Sequence, residues 1–233
     1  GEYDLVTITH NETSVGIMNP IKEIADVVKK YPDVVFCVDT VSSMGGTSIP
    51  VDELGIDFCI TSTQKCLGCP PGMSAASVSK KAYETVPNRG LYLDIVEIYD
   101  KVVKDDKYQY PSTPSESHMF ALQEELTYML ETEGLENRFA RHAEMAKYIQ
   151  DWAKKHFALF SDERYLSNTV TTIANTKGIS VADLNKKLAE KGMEISNGYG
   201  DLKEKTFRIS HMGDMTMDDM ELVTSAIEEV LGL

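Results

Sequence analysis

Three short apolar runs in the first 65 residues each end in a cluster of hydroxyl, amide and charged side chains. That pattern confines the chain to an α/β sheet. Leu5-Val6-Thr7-Ile8-Thr9 runs into His10-Asn11-Glu12-Thr13-Ser14, and Val34-Val35-Phe36-Cys37-Val38 into Asp39-Thr40-Val41-Ser42-Ser43. Ile56-Asp57-Phe58-Cys59-Ile60 runs into Thr61-Ser62-Thr63-Gln64-Lys65. Between the first two, Ile21, Ile24, Ala25 and Val28 share one helical face. Asn19-Pro20 reads as a cap followed by proline at the first helical position, and Pro32 stops the helix. Residues 33–39 are nearly continuous in apolar side chains, as for a strand buried on both faces. Residues 56–61 and 73–78 read as further strands, completing a strand–helix–strand rhythm.

Beyond residue 88 the rhythm dissolves into a polar connection with Tyr and Pro, reaching about residue 115. A helix carrying Phe120, Leu122, Leu126, Met129 and Leu130 follows and breaks at Gly134. A longer one carries Leu135, Phe139, Ala143, Ala146 and Trp152. The remainder reads strand (169–174), helix (180–191), short strand (193–196), strand (206–210) and helix (216–231). Ser180/Asp183 and Thr216/Asp219 are Asp variants of the capping box at the starts of two of these helices. The expected organisation is a large domain with its connecting helix over 1–132 and a smaller α/β domain over 133–233.

The formal net charge of -14 repels phosphate backbones and anionic lipid, which argues against nucleic acid or a membrane surface as partners. No stretch approaches the roughly 18 apolar residues of a membrane span. Cys37 and Cys59 lie in apolar runs and read as buried core thiols. Cys66-Leu67-Gly68-Cys69 has the spacing of a metal or redox pair, but no second Cys pair or suitably spaced His completes a site, so no metal is expected. The chain starts at Gly1 and enters a strand at once, which reads as a piece of a longer protein. The expected location is cytoplasmic, with upstream targeting signals left open.

Ligands of open α/β sheets bind outside the carboxyl ends of strands, so the three polar clusters can converge on one crevice. Each is also readable as a simple turn. Asp39 ends an apolar strand, where a buried carboxylate is expensive without a partner. A lysine such as Lys65, held after a strand and before Gly68 and Pro70-Pro71-Gly72, is suited to Schiff-base chemistry if its amine is desolvated; otherwise it is a surface ion pair or a capped turn.

Thr9-His10-Asn11-Glu12-Thr13-Ser14-Val15-Gly16, Val38-Asp39-Thr40-Val41-Ser42-Ser43-Met44-Gly45-Gly46 and Ser62-Thr63-Gln64-Lys65-Cys66-Leu67-Gly68-Cys69-Pro70-Pro71-Gly72 resemble the signature blocks of class V pyridoxal-phosphate aminotransferases. The branch they resemble holds the alanine–glyoxylate and serine–pyruvate enzymes. The likeness extends through Tyr110 and Thr113 to Phe207-Arg208-Ile209-Ser210. It implies a fold-type I α/β architecture, part of a large mixed sheet flanked by helices plus a smaller C-terminal domain. It implies an enzyme moving an amino group between a small amino acid and a 2-oxo acid, with pyridoxal 5'-phosphate as cofactor.

By that resemblance Lys65 carries the cofactor as a Schiff base and moves the substrate's proton, and Asp39 faces the pyridinium nitrogen. Val41 packs on the ring, Thr13 bonds the cofactor and Gln64 holds its phosphate. Tyr110 and Thr113 reach a neighbouring subunit's phosphate in a homodimer, and Arg208 clamps the substrate carboxylate with a bidentate fork. Read alone, Arg208 is an edge-strand surface cation. The family's N-terminal portion, with its phosphate loop and ring-stacking aromatic, is not among these residues, so this chain by itself is expected to bind cofactor weakly or not at all. Alternatives are a 2-aminoethylphosphonate transaminase, a cysteine desulfurase or other lyase, and an inactive fragment.

Overall fold

The computed structural model describes residues 2–85, 93–104, 110 and 112–233. The first half alternates as the apolar runs require. Its elements are β1 (Leu5–Thr9), a hairpin of β2 (Asn11–Glu12) and β3 (Ile17–Met18), α1 (Ile21–Val28), β4 (Val35–Asp39), α2 (Val51–Leu54), β5 (Phe58–Ser62) and β6 (Ser74–Val78). The main sheet has the order β1-β4-β5-β6. β1, β4 and β5 run parallel, and β6 is antiparallel to β5. All three parallel strands therefore present their carboxyl ends, and the polar clusters that follow them, at one edge of the sheet.

Successive strand side chains face opposite sides, and the two sides differ. Phe36, Val38 and Cys59 are buried with Ile21, Ala25, Leu54 and Ile56, beneath α1 and α2. Thr7, Thr9, Cys37, Asp39, Phe58 and Ile60 instead line an open cleft of about 290 Å³ on the other side. β4 is thus buried on one face only, and Cys37 is half-buried rather than in the core. An unbroken apolar run cannot distinguish the two cases, because Val and Cys are tolerated on either face.

Asn19 does not cap α1 either. Its side-chain amide donates to the Thr9 carbonyl, while Pro20 sits at the cap position. Asn19 therefore fastens the end of the hairpin to the end of β1.

The connection after β6 contains more helix than its composition suggests. α3 (Lys80–Thr85) and α4 (Ile95–Tyr99) lie in it, the latter capped by Asp94, whose carboxylate accepts from the amides of Val96 and Glu97. The Asn88 end of the expected polar connection falls outside the described residues. α5 (Glu116–Thr127) then leads through a π-helical turn over Tyr128–Glu133 to Gly134. Of its expected apolar face only Met129 is buried; Phe120 and Leu130 are 70% and 58% exposed.

The second half is built around α6 (Leu135–His156). Then come β7 (Ala158–Leu159), β8 (Val170–Ala174), α7 (Val181–Ala189), β9 (Ser196–Asn197), β10 (Thr206–Ser210) and α8 (Met217–Leu231). A second sheet, β7-β8-β10-β9, is antiparallel throughout. Ser180 accepts a hydrogen bond from the Asp183 amide, and Thr216 with Asp219 makes a reciprocal capping box. Ile149, Ile173, Leu184, Leu188, Phe207 and Ile227 from α6, α7, α8 and the sheet form one contiguous core. Burying a side chain of this size stabilises by about 1.5–3 kcal/mol. That core holds β10 rigid, and Arg208 projects from it.

Candidate active site

The turn after β1 bridges the two sheets. Gly16 has φ +70°, a conformation that glycine adopts without a Cβ penalty. A Cβ there would lie 2.9 Å from Thr172 Oγ1 and 3.0 Å from the Thr172 amide nitrogen, so the hairpin rests directly on β8. The Gly16 carbonyl accepts from the Ser167 amide. This docking brings Thr13 to β10, where Arg208 Nη1 donates to the Thr13 carbonyl at 3.1 Å and Nη2 to the Asn197 carbonyl at 3.1 Å.

From Thr13 the contacts run to the other two clusters. Thr13 Oγ1 donates to Ser42 Oγ at 2.6 Å, and His10 Nδ1 shares a hydrogen bond with Ser43 Oγ at 2.9 Å. The Ser42 carbonyl accepts from Thr169 Oγ1 at 2.6 Å and from the Cys66 thiol at 3.5 Å. The cluster after β1, the one after β4 and the Lys65 loop are therefore held to one another, and all three to β10. Burial pushes the Cys66 thiol up to about 12 and His10 down to about 4. The thiol stays protonated and the imidazole neutral at physiological pH, so both act here as packing and hydrogen-bonding groups.

Lys65 follows β5 in a loop closed on itself. The Gly68 amide donates to the Lys65 carbonyl, the Cys69 amide to the Thr63 carbonyl, and Thr63 Oγ1 to the Pro70 carbonyl. Arg138 of α6, with no exposed side-chain surface, supports the loop from beneath by donating to the Cys66 carbonyl at 2.9 Å. The Lys65 amine itself has no hydrogen bond or ion pair among the described residues, and its side chain is half-buried. Asp39 is exposed at the end of β4, and its carboxylate accepts from the Val41 amide at 2.9 Å. Thr40, between them, turns inward to the Ile60 carbonyl.

Several buried polar atoms at this junction have no partner among the described residues. They are both side-chain amide atoms of Asn11, Thr61 Oγ1, Ser62 Oγ and Arg208 Nε. A buried polar group without a hydrogen bond is costly, and its concentration beside three strand ends fits a polar ligand. Gln64 is exposed beside Lys65. Tyr110 and Thr113 are exposed and share no hydrogen bond with Lys65, Gln64 or Thr13 among the described residues. The fold thus ties Thr13, Arg208 and the loop that carries Lys65 to the cluster that carries Asp39 and Val41. Among the described residues no cluster of three His, Cys, Asp or Glu side chains could hold a metal ion.

The model of the class-V aminotransferase family matches residues 1–223. The chain belongs to that family. An uncharacterized aminotransferase of Methanocaldococcus jannaschii is 43% identical over 214 residues, covering 89% of this chain and 54% of its relative. The alanine–glyoxylate aminotransferase of Callithrix jacchus is 32% identical, covering 97% and 57%. Among solved structures, alanine–glyoxylate aminotransferase from Nostoc sp. superposes with a TM-score of 0.90 at 27% identity, covering 98% of this chain and 62% of that one. The fold-type I architecture follows from these matches. The chain spans between half and two thirds of the length of the proteins it matches.

Asn11, Ser62 and Tyr199 received no individual role from the sequence. Asn11 and Ser62 belong to the polar clusters, but nothing in the order of residues separates an orphaned amide or hydroxyl from one that closes a turn. Tyr199 lies in the loop Asn197-Gly198-Tyr199-Gly200, and only the stacking of its ring on Arg208, with the guanidinium carbon 3.8 Å from the ring centroid, gives it a place.

Proposed function

We propose that the whole protein is a pyridoxal 5'-phosphate-dependent aminotransferase exchanging an amino group between a small amino acid of the alanine or serine type and a 2-oxo acid of the glyoxylate or pyruvate type. One observation carries this reading: Arg208 is tied through Thr13 to the strand ends that bear Asp39 and Lys65. In this reading a cation for a substrate carboxylate and an amine for covalent anchorage serve one crevice. The orphaned polar atoms of Asn11, Ser62 and Arg208 support a polar occupant there.

In this reading Lys65 anchors the cofactor, with Asp39 beside its ring nitrogen, Val41 against its ring, Thr13 on a ring substituent and Gln64 toward its phosphate. When bound, the cofactor supplies an electron sink for negative charge at the substrate Cα. Lys65 then takes the Cα proton and returns it. Arg208 holds the substrate carboxylate, for which the unpartnered, buried Nε is an available donor. Tyr110 and Thr113 serve a neighbouring subunit of a homodimer, which accords with their exposure here. A cytoplasmic location accords with four free cysteines.

The test is spectroscopic and kinetic. The full gene product, loaded with cofactor, should show the visible absorbance of lysine-bound pyridoxal phosphate and transaminate alanine or serine with glyoxylate or pyruvate. Lys65→Ala should lose both. Retention of the lysine-bound absorbance in that variant would overturn the assignment.

A further inference from the structure

Arg208 is spent on more than one partner. Two of its terminal N–H groups go to the carbonyls of Thr13 and Asn197, and one guanidinium face lies on the Tyr199 ring at 3.8 Å. The side chain is nine-tenths buried and more, yet Nε has no partner among the described residues. A planar guanidinium pinned by two in-plane bonds and one stacked ring can accept an anion along its remaining edge. Tyr199 is 60% exposed, so its ring covers Arg208 while much of its own surface stays open. Arg208, by direct contact and by its charge, draws the phenol below its ordinary pKa; burial opposes this, and Lys65 adds a smaller pull in the same direction. Tyr199 therefore senses both the carboxylate-binding cation and the anchoring amine.

We propose that Tyr199 is a specificity-determining residue that fixes the plane of Arg208, so that the site takes amino donors with one carboxylate in preference to dicarboxylic ones. This rests on the assignment of Arg208 to the substrate carboxylate. A second acidic group meets a guanidinium whose two terminal nitrogens each already donate to a carbonyl, of Thr13 and of Asn197, and whose one face is closed by the ring. The phenol adds no cation to receive it.

The experiment uses the cofactor-loaded full gene product and compares alanine and serine with aspartate and glutamate as donors. Tyr199→Ala should raise KM for alanine about tenfold, as loss of a partly desolvated cation–π contact does. Its kcat should stay within about twofold, and its preference over aspartate should narrow. Tyr199→Phe keeps the ring and should keep KM and preference. Independently of activity, the phenolate absorbance lost between wild type and Tyr199→Phe should titrate below the ordinary tyrosine range of about 10, and Arg208→Met should move it back up. An unchanged KM in Tyr199→Ala while Arg208→Met raises it would overturn the proposal and leave the Arg208 assignment standing. An unchanged KM in both variants would overturn both. A phenol indifferent to Arg208→Met would also refute it.

Discussion

Arg138→Met removes the guanidinium on which the Lys65 loop rests, and the structure allows the cost to be worked out. Arg138 has no exposed side-chain surface and is paired with Glu125 at 3.1 Å, Glu133 at 2.8 Å and Asp214 at 3.0 Å. It also donates to the Cys66 carbonyl. Removing one partner of a buried ion pair costs about 3–5 kcal/mol, mostly because the remaining charge stays buried. Here the three carboxylates are not equally stranded. Glu133 keeps Arg141 at 2.7 Å, and the Asp214 side chain is 51% exposed, so water can solvate it. Glu125 is only 13% exposed, and its Oε1 has no other hydrogen bond among the described residues. The Cys66 carbonyl loses a charged donor, worth about 1.5–3 kcal/mol. The loss should therefore fall near the lower end, about 3 kcal/mol by urea unfolding at pH 7.

The pH dependence separates this mechanism from a simple cavity. Burial and the facing Asp214 already raise the Glu125 carboxyl above its ordinary range, against the pull of Arg138. Without Arg138 it rises further. An acid whose folded pKa is raised binds protons more tightly folded than unfolded, so stability increases as pH falls toward the ordinary carboxylate range. The deficit of Arg138→Met relative to wild type should shrink between pH 7 and pH 5. A loss below about 1 kcal/mol, or a deficit that does not change with pH, would refute the argument.

Two further outcomes concern the buried groups around the site. Burial holds His10 and His142 near 4 and His211 near 3, below the ordinary histidine value. The unfolded chain therefore takes up these protons first. Stability should be full above about pH 6.5 and fall as pH drops toward 4, each histidine adding a slope of about 1.4 kcal/mol per pH unit. In urea titrations at stepped pH, replacing His211 by Asn should remove about a third of that slope, and an unaltered slope would contradict it. Gly46→Ala would place a Cβ 2.6 Å from Thr169 Cγ2 and 2.9 Å from Cys66 Sγ, so thermal unfolding should show an overpacking loss of about 1–3 kcal/mol. Stability equal to wild type would show that this junction can relax.

By itself the sequence determined the local units: where β1, β4, β5, β8 and β10 run, where Ser180 and Thr216 start helices, and which clusters follow the strands. Those are effects of periodicity and of neighbours a few residues apart, and they are written in the order of side chains. The family blocks around Thr13, Asp39 and Lys65 were legible for the same reason. What the sequence left open depends on residues far apart in the chain. Only the tertiary structure decided that β4 is covered on one face, that α5 leaves Phe120 and Leu130 exposed, and that Asn19 bonds Thr9 instead of capping. It also decided that Arg138 lies beneath the Lys65 loop and that Tyr199 lies on Arg208. Side chains 72 positions apart, as Arg138 and Cys66 are, meet because two sheets dock through the Gly16 turn. No local pattern encodes that docking; burial and the need to satisfy polar atoms select it once the whole chain is packed.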